Sequence, residues 1–363
     1  MVRGMRTVRD IQIFQNIPIL VRAALNVPVE KGRVANEYRL RRALPTIRYL
    51  AERGARVILI GHLGEKGTET LKPVAEALGA LVRGVSFFDE TIGARARTAI
   101  RDLAPGNMLV MENLRRHKGE RTNDRAFAKE LASLADIFVQ DSFDTCHRPH
   151  ASIIGVPKLL PSYAGLLLME EIDELSRALT PKKPALAVIG GAKFSTKEGV
   201  LNALLKTYDH VFVGGALAND FLKASGKEVG KSLVSDSVDE REIKKILANP
   251  RLVVPIDSVI KDGEILDHGP RTIALLALLA AKAKTILWNG PLGNYENGFS
   301  DATNAFARAV ADSSARSIVG GGDTIAAVEN LGLLPRFSFV STGGGAMLQF
   351  LARGTLPGIE ALN

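Results

Sequence analysis

Short apolar runs alternate with longer stretches of helical periodicity along most of this 363-residue chain. The apolar runs are rich in Val and Ile, whereas the stretches between them repeat their apolar residues at helical spacing. This alternation is typical of parallel βαβ units, so it predicts an α/β protein. The predicted strands are 17–22, 56–60, 84–88, 108–111, 136–140, 185–189, 210–213, 251–254, 285–288, 317–319 and 337–340.

Helical patterns cover 36–53 and 124–135 among the connecting stretches. A third helical segment, over 163–179, lies between two pairs of prolines. We interpret it as a helix that joins two α/β domains, since a chain of this length suggests two domains rather than one.

Composition and charge narrow the class of protein. The formal net charge is +8, which suits a small polyanionic substrate. No basic stretch carries interleaved aromatics, so we expect no nucleic-acid partner. No apolar run reaches the roughly 18 residues of a membrane span, and the N-terminus lacks a signal-peptide core, so we expect no membrane partner. The single cysteine, Cys146, excludes an internal disulfide and favours a reducing cytoplasm.

Polar and basic residues follow the predicted strands of the first half. Ligands of open parallel sheets bind beyond the carboxyl ends of the strands, so these residues are expected to share one rim. Their repetition at successive strand ends favours a joint site for a small anion over scattered surface arginines. They are Arg22, Asn26, Arg39, His62, Glu112, Asn113, Arg115, Asp141, His147, Arg148 and His150.

Glycines occupy the strand ends of the second half. The run 320–322 follows the predicted strand over 317–319, and Asp323 then opens a helical pattern. Glycine turns let the backbone approach a ligand, and a helix N-terminus attracts phosphate. Lys193 and Lys197 supply countercharge, so this half is expected to bind a nucleotide. The glycine-rich strand ends are 190–193, 214–216, 289–293, 320–323 and 343–345.

Four other interpretations fail on spacing or context. The segment 226–232 (GKEVGKS) lacks one spacer residue of a P-loop, and no GxGxxG follows a strand. No cysteine or carboxylate cluster completes a metal site at His147 and His150. Cys146 is adjacent to His147 in sequence, which disfavours a catalytic pair. One domain therefore offers a basic pocket for a small anion, and the other offers glycine-rich loops for the phosphates of a nucleotide. This layout predicts a two-substrate phosphoryl-transfer enzyme that closes to exclude water.

The chain resembles the phosphoglycerate kinase family from end to end. Motifs of this length in this order are highly specific. The matching stretches are VRAALNVPV (21–29), RLRRALPTI (39–47), GHLG (61–64), LKPVAEAL (71–78), ENLRRHKGE (112–120), HRPHAS (147–152), GGAKFSTK (190–197), GKSLV (230–234), GPRTI (269–273), LWNGPLGNYE (287–296), VGGGDT (319–324) and STGGGA (341–346).

The resemblance implies two Rossmann-like, three-layer domains with parallel sheets. The phosphoglycerate-binding domain would comprise 1–162 and the returning tail 345–363, and the nucleotide-binding domain 180–344, with 163–179 as the interdomain helix. The implied reaction is reversible phosphoryl transfer from 1,3-bisphosphoglycerate to ADP, giving 3-phosphoglycerate and ATP. Mg²⁺ would accompany the nucleotide, and a cytoplasmic monomer is expected.

The resemblance also carries residue roles to matching positions. Arg39, Lys193 and Gly322 would act on the transferred group, and Asp323 would be the Mg²⁺ partner. The implied phosphoglycerate site comprises Arg22, Ala24, Leu25, Asn26, Arg39, His62, Leu63, Gly64, Glu65, Arg115 and Arg148. The implied nucleotide site comprises Lys193, Lys197, Asn289, Glu296, Gly321, Gly322, Asp323 and Thr324.

Several positions depart from the family pattern. Ala24 and Thr196 replace aspartates, Asp144 replaces a glycine, and Glu65 replaces an arginine unless a one-residue deletion brings Lys66 into its place. Most of these changes fall on the phosphoglycerate side. Two alternatives therefore stay open: a relative that binds nucleotide or anions without catalysis, and a kinase of another small carboxylate.

Overall fold

The computed structural model describes residues 4–12, 14–236 and 240–363. The chain divides into unit 1 (Met1–Ile172 with Thr355–Asn363) and unit 2 (Asp173–Gly354). This division falls inside the helix Leu166–Leu179 and assigns residues 345–354 to unit 2. The domain boundaries given above stay a prediction.

Unit 1 is built on a six-stranded sheet with the order β5-β6-β4-β1-β7-β8, in which all pairs are parallel. A separate antiparallel hairpin, β2–β3, was not predicted because its strands have only two residues each. The strands are β1 (Pro18–Arg22), β2 (Val29–Glu30), β3 (Arg33–Val34), β4 (Arg56–Ile60), β5 (Val85–Phe88), β6 (Met108–Met111), β7 (Ile137–Gln140) and β8 (Ser162–Ala164).

Helices cover both faces of this sheet, which gives three layers. Ile19 and Val21 pack on one face with the apolar stripe of α1, whereas Leu20, between them, packs on the opposite face. A strand buried on both faces has a continuous apolar run, as the residues PILV that precede Arg22 in β1 show. The helices are α1 (Tyr38–Ala51), α2 (Lys72–Leu81), α3 (Ala94–Asp102), α4 (Lys118–Arg121), α5 (Arg125–Ala132) and α6 (Leu166–Leu179).

The predicted helix over 163–179 is wrong at its start. Tyr163 and Ala164 belong to β8, where they pair with Val139 and Gln140 of β7. Helix α6 begins only after Gly165, and Oδ1 of the buried Asp141 side chain accepts hydrogen bonds from Leu167 N (3.0 Å) and Leu168 N (3.2 Å). Strand pairing and this cap, both distant in sequence, therefore set the boundary.

Unit 2 repeats the architecture with the parallel order β11-β10-β9-β14-β15-β16. The strands are β9 (Ala185–Ile189), β10 (His210–Val213), β11 (Leu252–Val253), β12 (Ser258–Lys261), β13 (Glu264–His268), β14 (Thr285–Asn289), β15 (Arg316–Gly320) and β16 (Phe339–Val340). The helices are α7 (Glu198–Thr207), α8 (Leu217–Ala224), α9 (Glu240–Leu247), α10 (Pro270–Lys282), α11 (Asp301–Asp312), α12 (Gly322–Asn330) and α13 (Gly344–Arg353).

The fold class is confirmed, and each predicted strand agrees with an observed one to within two residues at each end. The antiparallel hairpin β12–β13 was missed because its exposed residues, including Ile260, do not form a buried run. Within the described residues, no helix combines the length and apolar character needed to cross a bilayer.

Two sets of contacts fix the C-terminal helix in unit 1 and the tryptophan side chain in unit 2. The C-terminal helix α14 (Pro357–Glu360) lies in unit 1, where Gly358 N donates to Cys146 O (2.8 Å). In unit 2, Trp288 is the only tryptophan of the sequence and is fully buried at the end of β14. Its indole packs edge-on against Phe306 (5.0 Å between ring centroids) and donates to Gly290 O (2.8 Å).

The Asp141→Asn variant is expected to be more stable than the wild type, increasingly so from pH 5 to pH 9. Burial raises the pKa of Asp141 to about 8, above the ordinary value of 3.8. The folded state therefore holds a proton that the unfolded state has lost, and stability falls as pH rises through this window. Asparagine keeps an oxygen for the two amides of α6 but cannot ionise. Urea unfolding should show a gain of at least about 1 kcal/mol at pH 9.

The matched control is Asp124→Asn, because Asp124 also caps a helix but is exposed and accepts from Phe127 N (2.8 Å). Its stability difference should not grow in the alkaline direction. A pH-independent difference for Asp141→Asn would contradict the proton linkage.

Candidate active site

The carboxyl edge of the unit 1 sheet gathers a basic cluster, which we define as Arg22, Arg39, His62, Arg115 and Arg148. Arg22 ends β1, Arg39 lies in the first turn of α1, and the other three lie in loops after β4, β6 and β7. Burial, followed by the charges of the four arginines, lowers the pKa of His62 well below its usual value. These residues are therefore close enough to act on one another.

Arg22 and His62 form the buried base of the cluster, with 1% and 3% of their surfaces exposed. Arg22 Nη2 donates to His62 Nδ1 at 3.0 Å. An arginine nitrogen cannot accept a hydrogen bond, so Nδ1 carries no proton and the neutral ring carries it on Nε2. His62 is thus an N–H donor rather than a cation.

Glu65 joins the two outer arginines. Its carboxylate lies 3.2 Å from Arg115 Nη1 and 3.5 Å from Arg148 Nη2. Burial opposes its ionisation, but the charges of Arg115 and Arg148 outweigh this and lower the pKa of Glu65. An ionised side chain of this protein therefore pairs with two arginines that the sequence predicts to bind the substrate.

Backbone groups complete the rim beside Arg39. Arg39 Nη1 donates to Asn26 O (2.6 Å), and Asn26 Oδ1 accepts from Gly64 N (3.1 Å). Arg115 Nη1 donates to Gly64 O. Asn26, Arg39, Leu63 and Gly64 line a cavity of about 580 Å³ in unit 1.

Three predicted site residues are buried apolar side chains. Ala24 and Leu25 are fully buried, and Leu63 is 4% exposed. Leu63 is fixed by Asn113, whose Nδ2 donates to Leu63 O (2.8 Å) and whose Oδ1 accepts from Leu63 N (3.3 Å). These residues shape the backbone of the loops rather than offer polar side chains.

Residues beneath the cluster were missed as site residues. Arg22 Nε donates to Ser152 Oγ (3.1 Å), and Ser152 donates in turn to the fully buried Glu120. Arg22 Nη1 also approaches Ser142 Oγ (3.4 Å), and Ser142 donates to Asp144 (2.5 Å), where the family has glycine. The only sequence signal for Glu120 and Ser152 was that each ends one of the matching motifs, whereas Asp144 was noted as a departure from the family pattern.

In unit 2, the loops after β9, β10, β14 and β15 surround a cavity of about 330 Å³. Glycine is required where these loops touch, because a side chain at Gly190 would collide with Pro291 O. The lining includes Gly191, Gly215, Pro291, Gly293, Glu296 and Asp323.

The loop after β15 turns directly into helix α12. Gly321 has φ +99°, a conformation that favours glycine, and a side chain at Gly322 would meet open space. Asp323 is exposed in the first turn of α12 and, within the described ranges, has no hydrogen-bond or ion-pair partner. Thr324 is buried and accepts from Gly290 N (2.9 Å), so its hydroxyl ties two of the loops together.

The remaining predicted residues of unit 2 differ in exposure. Lys193 is exposed, and its carbonyl accepts from Thr196 Oγ1 (2.9 Å). Lys197 Nζ donates to Thr196 Oγ1 (3.3 Å), and burial lowers the pKa of Lys197. Asn289 is buried beside Gly344 and Met347, whereas Glu296 is exposed at the cavity.

The two α/β units, one with a basic cluster and the other with a glycine-lined cavity, have the layout of a two-substrate kinase. A family model of phosphoglycerate kinase matches residues 8–353. The phosphoglycerate kinase of Moorella thermoacetica is 42% identical over 98% of both chains, and that of Rubrobacter xylanophilus is 44% identical over 98% of both.

Solved structures agree with these sequence matches. Phosphoglycerate kinase from Coxiella burnetii superposes with a TM-score of 0.83 at 39% identity, covering 99% of this chain and 98% of the other. The Pyrococcus horikoshii enzyme gives 0.88 at 31% identity with the same coverage. The chain belongs to the phosphoglycerate kinase family. It is a glycolytic phosphotransferase, and the non-catalytic alternative is not favoured.

Proposed function

We propose that the basic cluster of unit 1 binds 3-phosphoglycerate, or its 1,3-bisphosphate, in the reversible transfer of a phosphoryl group to and from nucleotide. The observation that supports this best is the set of contacts within the cluster. Arg22 contacts His62 at 3.0 Å, and the Glu65 carboxylate reaches both Arg115 and Arg148. Asn26 joins Arg39 to Gly64 on the same rim. The substrate carries a phosphate and a carboxylate, and guanidinium groups match both in charge and geometry. Asn26, Leu63 and Gly64 would shape the rim beside Arg39, with Ala24 and Leu25 beneath.

Glu65 would compete with this substrate. Its carboxylate already pairs with Arg115 and Arg148, so an incoming anion must displace it. Glu65 is 76% exposed, and displacement needs only a rotation of its side chain into water. The site would accept the substrate at the cost of this ion pair.

The glycine-lined cavity of unit 2 would bind ADP or ATP. Backbone amides at the start of α12 would meet phosphate oxygens, because helix N-termini attract anions. Lys193 and Lys197 would supply positive charge, Asn289 and Thr324 would hold the loops in place, and Glu296 would reach the ribose.

Asp323 fits a role in holding Mg²⁺. Mg²⁺ in nucleotide sites usually takes one or two carboxylates and completes its shell with phosphate and water. Asp323 offers one unpaired carboxylate at the cavity, and no group of three or more metal-ligating side chains exists among the described residues. When bound, the ion would neutralise charge on the phosphates.

The chemical step needs positioning more than covalent help from the protein. A carboxylate oxygen of 3-phosphoglycerate attacks the γ-phosphorus, and the bond to the β,γ-bridging oxygen breaks to release ADP. Arg39 and Lys193 would stabilise the charge on the transferred group, and the Gly322 amide would contact it. Domain closure, a monomeric state and a cytoplasmic location are further parts of this proposal, consistent with the family.

The function is tested by coupling ATP consumption to 3-phosphoglycerate. Turnover should require 3-phosphoglycerate, stop when EDTA removes Mg²⁺, and fall by more than about a hundredfold with glycerate, which lacks the phosphate that the arginines would bind. Equal turnover with glycerate would contradict the assigned acceptor. If neither turns over, calorimetry with Mg-ADP shows whether the nucleotide site alone is retained.

A further inference from the structure

A buried chain of hydrogen bonds runs from a carboxylate to the histidine of the basic cluster. Ser152 Oγ donates to Glu120 Oε1 at 2.6 Å, and Ser152 N donates to Glu120 Oε2 at 3.0 Å. Arg22 Nε donates to Ser152 Oγ at 3.1 Å, and Arg22 Nη2 donates to His62 Nδ1 at 3.0 Å. Glu120, Ser152, Arg22 and His62 are each at most 3% exposed.

The direction of every bond in this chain is determined. Glu120 can only accept when ionised, so Ser152 uses its one hydroxyl proton on Glu120 and must accept from Arg22. Arg22 can only donate, so His62 Nδ1 must accept. The proton of the neutral imidazole is therefore on Nε2.

The charges around the chain favour the same arrangement. Burial lowers the pKa of Arg22, and the Glu120 carboxylate is the largest electrostatic effect that opposes this. His150 Nδ1 lies 3.8 Å from Glu120 Oε1, but burial lowers the pKa of His150 to about 4, so it adds no positive charge at neutral pH. Asp144 also opposes the desolvation of Arg22.

We propose that Glu120 and Ser152 are positioning residues that fix Arg22 and thereby hold His62 as a neutral Nε2–H donor for the anionic acceptor. This inference rests on the proposed role of His62 in binding phosphoglycerate. With the opposite tautomer, His62 would present a lone pair to the substrate anion and repel it. A fixed neutral donor binds the anion without adding a proton whose presence depends on pH.

The test uses Ser152→Ala, with Ser162→Ala as the matched control. Ser162 is a buried serine of the same unit whose hydroxyl, among the described residues, bonds only the backbone carbonyls of Pro157 and Leu160. Ser152→Ala removes the acceptor of Arg22 Nε, so the KM for 3-phosphoglycerate should rise about tenfold. The KM for ATP should stay within about twofold, and Ser162→Ala should change neither value by more than that.

The second measurement is the ¹⁵N spectrum of the His62 ring, which distinguishes the two tautomers directly. The wild type should show Nε2–H alone between pH 6 and 8, and Ser152→Ala should show a mixture or a shift toward Nδ1–H. If Ser152→Ala does not fold, Glu120→Gln is measured in the same two ways.

An unchanged KM for 3-phosphoglycerate, or an unchanged His62 tautomer, in the variant would overturn the proposal. If the wild type does not turn over 3-phosphoglycerate at all, the proposed function fails. The ¹⁵N spectra then still decide whether the chain of hydrogen bonds controls His62.

Discussion

Replacing Lys193 with alanine is expected to lower kcat by about a hundredfold or more while the protein stays folded. Lys193 follows β9 and a glycine pair, and its backbone is fixed by Thr196 and by the buried side chain of Phe194. Its ammonium group has no partner within the described residues and is free to meet charge on the transferred group. Loss of one preorganised donor at a transition state commonly costs this much.

The control is Lys206→Ala, since Lys206 is an equally exposed lysine in the last turn of α7. Steady-state kinetics should show wild-type turnover for this variant. If Lys193→Ala retains more than about a tenth of wild-type kcat, the lost stabilisation is below about 1.4 kcal/mol and the assigned role is wrong. Lys193→Arg tests whether the positive charge is sufficient, because it keeps the charge but changes the length and shape of the side chain.

Glu65→Arg is expected to tighten 3-phosphoglycerate binding by about tenfold, and Ala24→Asp should add to the gain. The first change removes a carboxylate that pairs with Arg115 and Arg148 and introduces a cation beside them. The second restores the aspartate that the resemblance to the family implies at this position. Dissociation constants for the two single variants and the double variant, at fixed ionic strength, separate the two effects.

Two further variants show whether the tighter binding comes from losing the Glu65 carboxylate, from gaining a cation at the site, or from the change in net charge. Glu65→Gln removes the competing charge without adding a cation, so it should give part of the gain. Glu76→Arg makes the same change in net charge on the exposed side of α2 and should leave affinity within about twofold. If neither Glu65→Arg nor Ala24→Asp improves affinity, a different anionic acceptor becomes the better interpretation of this site.

The sheets could be predicted from the sequence because each central strand is buried on both faces. The run ALAVI in β9 is apolar throughout, and RVILI in β4 is apolar after Arg56; their lengths suit strands rather than helices. Strand β8 could not be found in this way. It has three residues, and its identity depends on pairing with Val139, which is distant in sequence.

The basic cluster could be predicted from one topological rule, because residues that follow parallel strands meet at one edge of the sheet. That rule cannot indicate which of them are buried or paired. The ion pair of Glu65 with Arg115 depends on the loop after β4 folding back, which is set by Asn113 and by the backbone of Gly64. Glu120 entered the sequence analysis only as the last residue of a matching motif, yet it is fully buried.

Trp288 provides an intrinsic optical probe of the nucleotide loops. Its indole N–H is bonded to Gly290 O, and Gly290 N is bonded to Thr324 in the first turn of α12. A displacement of either segment changes the surroundings of a single buried fluorophore, so a change in its emission on adding Mg-ADP would support the proposed nucleotide site without a label. Since all three residues belong to unit 2, ligand titrations can be followed by light from that unit alone.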